Sequence, residues 1–235
     1  MSQPRERITL EPAFVLHHRE YRDTSRILDV FSAGHGRITL FARGVRGPKS
    51  KLASLLMPFR PLLVSWTGRG DAAQLTAAEP DGELLALPAR QVLSGFYLNE
   101  LVINLTTRHD PQVQLFDDYA RALRRLCTEP KPEPVLRVFE KRLLESIGYG
   151  LELDVAPESH YHYRATDGLH EVRDDAPGAY AGRCLLALRE ESLDDAQTLD
   201  VARRVLRQAL DHCLEGRELR TRTVARSMTR RGTAS

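Results

Sequence analysis

The sequence predicts an α+β protein, with a five-stranded β unit at the amino terminus followed by an α-helical domain that carries a small irregular insertion. Three observations predict it. Over the first eighty residues, short apolar runs are punctuated by Gly, Pro and Ser. From about residue 84 the apolar repeat lengthens from two to roughly three and a half. Between about residues 150 and 197 the periodicity weakens and acidic side chains accumulate. The expected division is residues 1–80 and 81–235, within the length of one large or two small domains.

The five candidate strands are Phe14-Val15-Leu16, Ile27 to Phe31, Ile38 to Ala42, Leu62 to Trp66 and Ala73 to Ala77. Gly34-His35-Gly36 reads as a hairpin turn, because glycine supplies the positive φ such turns need. The strands on either side of it should pair antiparallel. In the second of them, Ile38, Leu40 and Ala42 alternate with Arg37, Thr39, Phe41 and Arg43. One face is therefore apolar, and the other offers two arginines and an aromatic ring.

Leu93, Phe96, Tyr97, Leu101 and Leu105 open the helical region, and Leu98, Val102 and Ile103 widen their stripe until the helix must be buried on most sides. Asp110-Pro111 reads as the start of a second helix, a capping side chain followed by a proline at the first helical position. It presents Phe116, Tyr119, Ala120, Leu123 and Leu126 on one face and ends near Cys127. After a proline-rich connection, Leu136, Phe139, Leu143 and Ile147 define a third helix, stopped by Gly148. The segment 150–197 sets eleven acidic residues against four arginines, and loops and short strands are expected there. A strong helix follows through Leu199, Ala202, Leu206, Ala209 and Cys213, and then a basic end from Arg217 to Arg231.

With 42% hydrophobic and 28% charged residues, the composition is that of a folded globular protein rather than a disordered chain. The net charge of +2 is too small by itself to argue for an acidic partner. Cys127, Cys184 and Cys213 contain no CxxC pair and read as reduced thiols. No apolar run of signal-peptide or membrane-spanning length is present, and a cytoplasmic location is expected.

The distribution of charge says more than its sum. Between Asp29 and Asp71 there is no acidic residue, while Arg37, Arg43, Arg46, Lys49, Lys51, Arg60 and Arg69 fall there. A one-signed stretch on a small β unit attracts phosphates and releases their counterions, which is nucleic-acid binding with marked salt dependence. The competing reading is a solvated face offset by acidic residues elsewhere in the fold. Phe41, Phe59 and Trp66 lie near the stretch and could stack on unpaired bases, or simply fill a barrel core.

Other chemistry finds little support. Gly44-Val45-Arg46-Gly47-Pro48-Lys49-Ser50 fails as a phosphate-binding P-loop, because two residues separate the glycines and Pro48 splits Gly47 from Lys49. His160 and His162 would share a face of a strand, with His170 as a distant third. Lacking a convergent cysteine or carboxylate, they read as surface or satisfied histidines rather than a metal site. The aspartate pairs 117–118, 174–175 and 194–195 are not arranged as general acid and base, and no nucleophile elbow is present. No catalytic residue, cofactor or metal is expected. Arg137, Lys141 and Arg142 beside Leu136, Phe139 and Leu143 suit an acidic, apolar-tipped peptide, although amphipathic helices commonly look this way.

An ordered series of short motifs runs through most of the chain. It comprises Ala13-Phe14-Val15-Leu16-His17, Asp23-Thr24-Ser25 before Leu28-Asp29-Val30-Phe31, Gly36-Arg37 leading to Ala42-Arg43-Gly44-Val45-Arg46, and Pro58-Phe59-Arg60-Pro61-Leu62-Leu63. It continues with Gly68-Arg69-Gly70, Tyr97-Leu98-Asn99-Glu100-Leu101, Pro132 to Leu144, Gly148-Tyr149-Gly150, Tyr161-His162-Tyr163 and Gly216-Arg217-Glu218-Leu219-Arg220. Each is weak alone; the ordered set resembles the bacterial RecO recombination mediators.

That resemblance implies that the five strands form an OB-fold barrel, followed by a helical domain with an irregular insertion. It implies binding of single- and double-stranded DNA, annealing of complementary strands, and loading of recombinase onto strands coated by single-stranded DNA-binding protein, together with RecR. Arg37, Arg43, Arg46, Lys49, Lys51, Arg60 and Arg69 would meet DNA, joined by Arg217, Arg220 and Arg222. By motif position, the acidic tail of single-stranded DNA-binding protein would dock at Arg121, Arg137, Lys141 and Arg142. Many members carry a four-cysteine zinc module after the Gly-Tyr-Gly landmark. Here Asp154 to His162 contain no cysteine, and no structural zinc is expected. The alternative is a non-catalytic adaptor whose barrel binds another protein and touches DNA little.

Overall fold

A computed structural model describes residues 7–232 other than 46, 48, 49, 51, 71, 72 and 175. The chain divides into two compact units, Met1–Thr128 and Glu129–Ser235.

The first unit holds β1 (Arg7–Tyr21), β2 (Ser25–Ser32), β3 (Gly36–Ala42), the short helix α1 (Leu52–Leu55), β4 (Pro61–Thr67) and β5 (Gln74–Pro80). The strands close a barrel in the order β1-β2-β3-β5-β4. Every pairing is antiparallel except β3 with β5, which closes the barrel in parallel through Phe41 and Gln74. This is the OB-type barrel expected. The β2–β3 hairpin sets Ser32 against Gly36 and Leu28 against Leu40, so Leu28, Val30, Ile38 and Leu40 point inward with Val15, Leu62, Val64 and Trp66.

The outer side of β1 and β2 is apolar as well. Phe14 and Phe31 are 3% and 1% exposed although they lie outside the barrel core. Their rings meet Phe116, each at 5.5 Å, and Tyr119 at 5.1 and 5.9 Å. Both partners belong to α3 (Val113–Thr128). From α2 (Val92–Leu105), Asn99 donates through Nδ2 to the Leu16 carbonyl at 2.7 Å and accepts from the Tyr119 hydroxyl at 2.6 Å. Burial drives the Tyr119 pKa far up, so the phenol stays a donor. Strands β1 and β2 thus need cover on a second face, and α2 and α3 supply it. The compact unit accordingly extends to Thr128, where sequence periodicity placed a division near residue 80.

Helix α3 begins at Val113, two residues beyond the start that Asp110-Pro111 advertises. The segment before it is held by the barrel. The His109 N–H donates to the Arg37 carbonyl at 3.0 Å. A Cβ on Gly36, whose φ is +65°, would stand 2.1 Å from the Asp110 carbonyl oxygen.

The second unit contains α4 (Glu133–Ser146), β6 (His160–Arg164), β7 (Gly168–Val172), β8 (Tyr180–Ala181), α5 (Gly182–Arg189), α6 (Ala196–Cys213) and α7 (Arg220–Gly232). The strands form a small antiparallel sheet in the order β7-β6-β8. Helix α6 packs on α4 and α5, burying Phe139, Leu143, Leu185, Val205, Leu206 and Leu210. Asp195 caps α6 by accepting from the Thr198 N–H at 2.9 Å. Helices α5 and α7 are additions to the sequence reading. The first is only eight residues long inside an acidic segment, and the second lies in the stretch whose sequence reads as a basic end. Among the described residues no helix is long and apolar enough to cross a membrane.

Candidate nucleic-acid interface

The alternation of β3 sends Ile38, Leu40 and Ala42 into the barrel and leaves Arg37, Thr39 and Phe41 on the opposite side, as the sequence pattern predicts. On this outer surface Asp29 of β2 sits opposite Thr39. Its carboxylate accepts from the Thr39 hydroxyl at 3.4 Å and lies 3.6 Å from Arg108 Nη2 and 3.8 Å from His17 Nδ1. Arg37 belongs to the same cluster. Burial and then the Arg108 charge push its pKa down while Asp29 works the other way, and a guanidinium remains cationic under such shifts. One carboxylate thus faces two arginines, which leaves this cluster cationic. Arg108 and His17 lie outside the acid-free stretch; the β1–β2 register brings His17 to it, and an isolated bridge to Arg37 brings Arg108.

The seven barrel cations are not equivalent. Arg43, just past the end of β3, is exposed and makes no hydrogen bond or ion pair among the described residues. Arg69 is exposed in the β4–β5 turn, between Gly68 at φ 101° and Gly70 at φ 57°. Arg37 is half-buried and donates through Nη2 to the Thr106 carbonyl at 2.9 Å. Arg60 is likewise half-buried, and its Nη1 donates to the Ser54 carbonyl at 3.1 Å. Arg46, Lys49 and Lys51 lie outside the described residues.

The aromatic candidates divide in the same way. Trp66 is 4% exposed within the barrel core, and Phe59 is 9% exposed against Phe96, with centroids 4.9 Å apart. Both read as core. Phe41 is half-buried on the outer face and meets the exposed Tyr21 ring edge-on at 5.7 Å.

In the second unit, Arg217 pairs with Glu215 at 3.7 Å, Arg222 forms an ion pair with Asp211, and Arg220 is exposed at the start of α7. The peptide-docking candidates are more deeply engaged. Arg137 reaches the buried Glu140 at 2.5 Å, with 11% of its own side chain exposed. Glu191 receives Lys141 at 3.2 Å and Arg142 through Nε at 2.8 Å and Nη2 at 2.6 Å. Burial raises the Glu191 pKa, but the hydrogen bonds and charges of Arg142 and Lys141 outweigh it and hold the carboxyl below its ordinary value. Arg121, which belongs to the first unit, is half-exposed and pairs with Asp118 at 2.6 Å. His160 binds Asp174 at 3.0 Å, and His162 meets the Pro177 carbonyl at 3.2 Å. No group of three His, Cys, Asp or Glu side chains suited to a metal ion occurs among the described residues.

These features define a class, an OB-barrel protein with a helical second unit and a cationic cluster on the outer barrel surface. The family model described as "Recombination protein O N terminal" matches residues 7–81, and that described as "Recombination protein O C terminal" matches residues 90–223. The chain is 42% identical over 229 aligned positions to the DNA repair protein RecO of Methylococcus capsulatus, covering 94% of each chain. It is 39% identical to that of Paraburkholderia xenovorans, covering 93% of this chain and 76% of the relative. It is 38% identical to that of Dechloromonas aromatica, with 95% and 98% covered. The chain belongs to the RecO family of DNA repair proteins.

Proposed function

We propose that this protein is a recombination mediator that binds single- and double-stranded DNA, anneals complementary strands and helps load recombinase onto strands coated by single-stranded DNA-binding protein, working with RecR in the cytoplasm. The observation that carries the reading is the acid-free run of cations between Asp29 and Asp71 on the barrel, with Arg43 and Arg69 exposed. A flexible polyanion is held by such groups through counterion release, without base-specific contacts. Arg37, Arg46, Lys49, Lys51 and Arg60 meet DNA with them in this reading, and Arg217, Arg220 and Arg222 form a second contact.

The protein acts by binding and has no catalytic turnover in this account. The acidic tail of single-stranded DNA-binding protein docks at Arg121, Arg137, Lys141 and Arg142. Since Lys141 and Arg142 already hold Glu191, a tail carboxylate competes with that side chain. Annealing of complementary oligonucleotides pre-coated with single-stranded DNA-binding protein tests the proposal. The protein should accelerate it, and a tail-deleted coating protein should abolish the gain. No acceleration of naked or coated strands, together with intact tail-peptide binding, would favour the adaptor alternative.

A further inference from the structure

At one end of the barrel lies a cavity of about 210 Å³ lined by Ile8, Ile38, Trp66 and Ala73 below and by His35, Arg69 and His109 around the opening, with Gly68 and Gly70 completing the wall. Among the described residues no carboxylate lines it. The His35 ring meets Trp66 edge-on at 5.0 Å, and its Nδ1 is 3.5 Å from Glu11, leaving Nε2 as the ring nitrogen that Glu11 does not engage. His109 is fixed at the opening by its backbone, held at φ 58° with its N–H on the Arg37 carbonyl at 3.0 Å.

The described lining is an apolar, aromatic floor beneath a rim of one arginine and two imidazoles. A ligand matching both parts is a flat ring joined to an anion. Size narrows it further: the volume falls short of the roughly 300–1,000 Å³ of pockets for drug-sized molecules, so one ring system fits and two stacked ones do not.

We propose that this cavity takes one unstacked nucleotide of a bound single strand, the base resting on Ile8, Ile38 and Trp66 and its phosphate on Arg69 and His109. This rests on the DNA-binding reading and adds to it a base-dependent contact that the outer cationic surface lacks. The glycines on either side of Arg69, at φ 101° and 57°, add no side chain of their own to the mouth.

Trp66 is the single tryptophan of the chain, so its fluorescence reports the cavity directly. The full chain is titrated with labelled oligo-dT, with a fully abasic strand of equal length, and with thymidine monophosphate, following anisotropy of the labelled strands and Trp66 emission in parallel. Oligo-dT should quench Trp66, the abasic strand should bind about five- to hundredfold more weakly without quenching, as expected for loss of a stacked base, and the monophosphate should act only at far higher concentration. Arg69→Ala should move the quenching midpoint about tenfold while the protein keeps its thermal stability. Equal binding and equal emission with both strands would overturn the cavity assignment and leave the DNA-binding reading standing. Tight quenching by the monophosphate with none by the strand would overturn it in favour of a free nucleotide. Absence of binding to either strand would overturn both readings.

Discussion

Arg37 Nη2 donates to the carbonyl oxygen of Thr106 at 2.9 Å, tying strand β3 to the residue that ends α2. The residue that the alternation of β3 nominates first for phosphate binding therefore has a structural partner. Arg37→Ala should lower the stability of the first unit by about 1–3 kcal/mol, the range for a charge-assisted hydrogen bond, as measured by urea unfolding. Arg43→Ala should leave stability unchanged within about 0.5 kcal/mol and weaken DNA binding. A stable Arg37→Ala protein would remove this distinction between the two arginines.

The Asn99 side chain joins the Leu16 carbonyl to the Tyr119 hydroxyl inside the first unit. Asn99→Ala strands both groups away from water and should cost about 2–4 kcal/mol, whereas Tyr119→Phe should cost about 1–2 kcal/mol. Chemical denaturation of the two variants and their double mutant reads the coupling, and additive losses would argue against a shared network.

Gly36 has no space for a side chain, since a Cβ would lie 2.1 Å from the Asp110 carbonyl oxygen, and its φ of +65° suits glycine alone at low cost. Gly36→Ala should destabilise by more than about 2 kcal/mol and loosen the 106–110 segment. Faster amide hydrogen exchange at His109 would register the loosening, and unchanged exchange would count against the contact.

Glu191 occupies the left-handed region at φ 60°, a place where glycine is easier, and its carboxylate holds Lys141 and Arg142. Because the folded state keeps this carboxyl below its unfolded value, its stabilisation is complete above the ordinary glutamate range and is lost as pH falls through the folded value. Glu191→Gln should be about 1–2 kcal/mol less stable than wild type at neutral pH, with the gap closing below about pH 4. The same variant should bind an acidic peptide more tightly, because it removes the internal competitor. A pH-independent gap would show that the ion pairs contribute nothing.

The barrel was legible because its strands alternate cleanly and their turns are marked by glycine, as at Gly34 to Gly36. The union of α2 and α3 with the barrel was not. Phe14 and Phe31 look like ordinary strand residues until register shows that they face away from the barrel core toward Phe116 and Tyr119. The basic stretch was visible as charge, but charge alone could not separate exposed Arg43 from Arg37, whose partner is 69 positions away. His17 and Arg108 reach the same surface only through pairing and chain reversal. The docking arginines resembled an open basic face because Glu191, 49 residues beyond Arg142, cannot be placed from local pattern. Helix α5 is too short for its period to stand out among acidic neighbours.

In the proposed function the barrel cations grip the phosphate chain. The most direct measurement is the affinity of the full chain for single-stranded oligonucleotide across a salt series, for wild type and for the Arg43→Ala, Arg46→Ala, Lys49→Ala triple variant. Log affinity should fall with log salt by about 0.7 for each phosphate contacted, and the triple variant should show a slope smaller by up to about 2 with unchanged stability. An identical slope in the two proteins would contradict the claim.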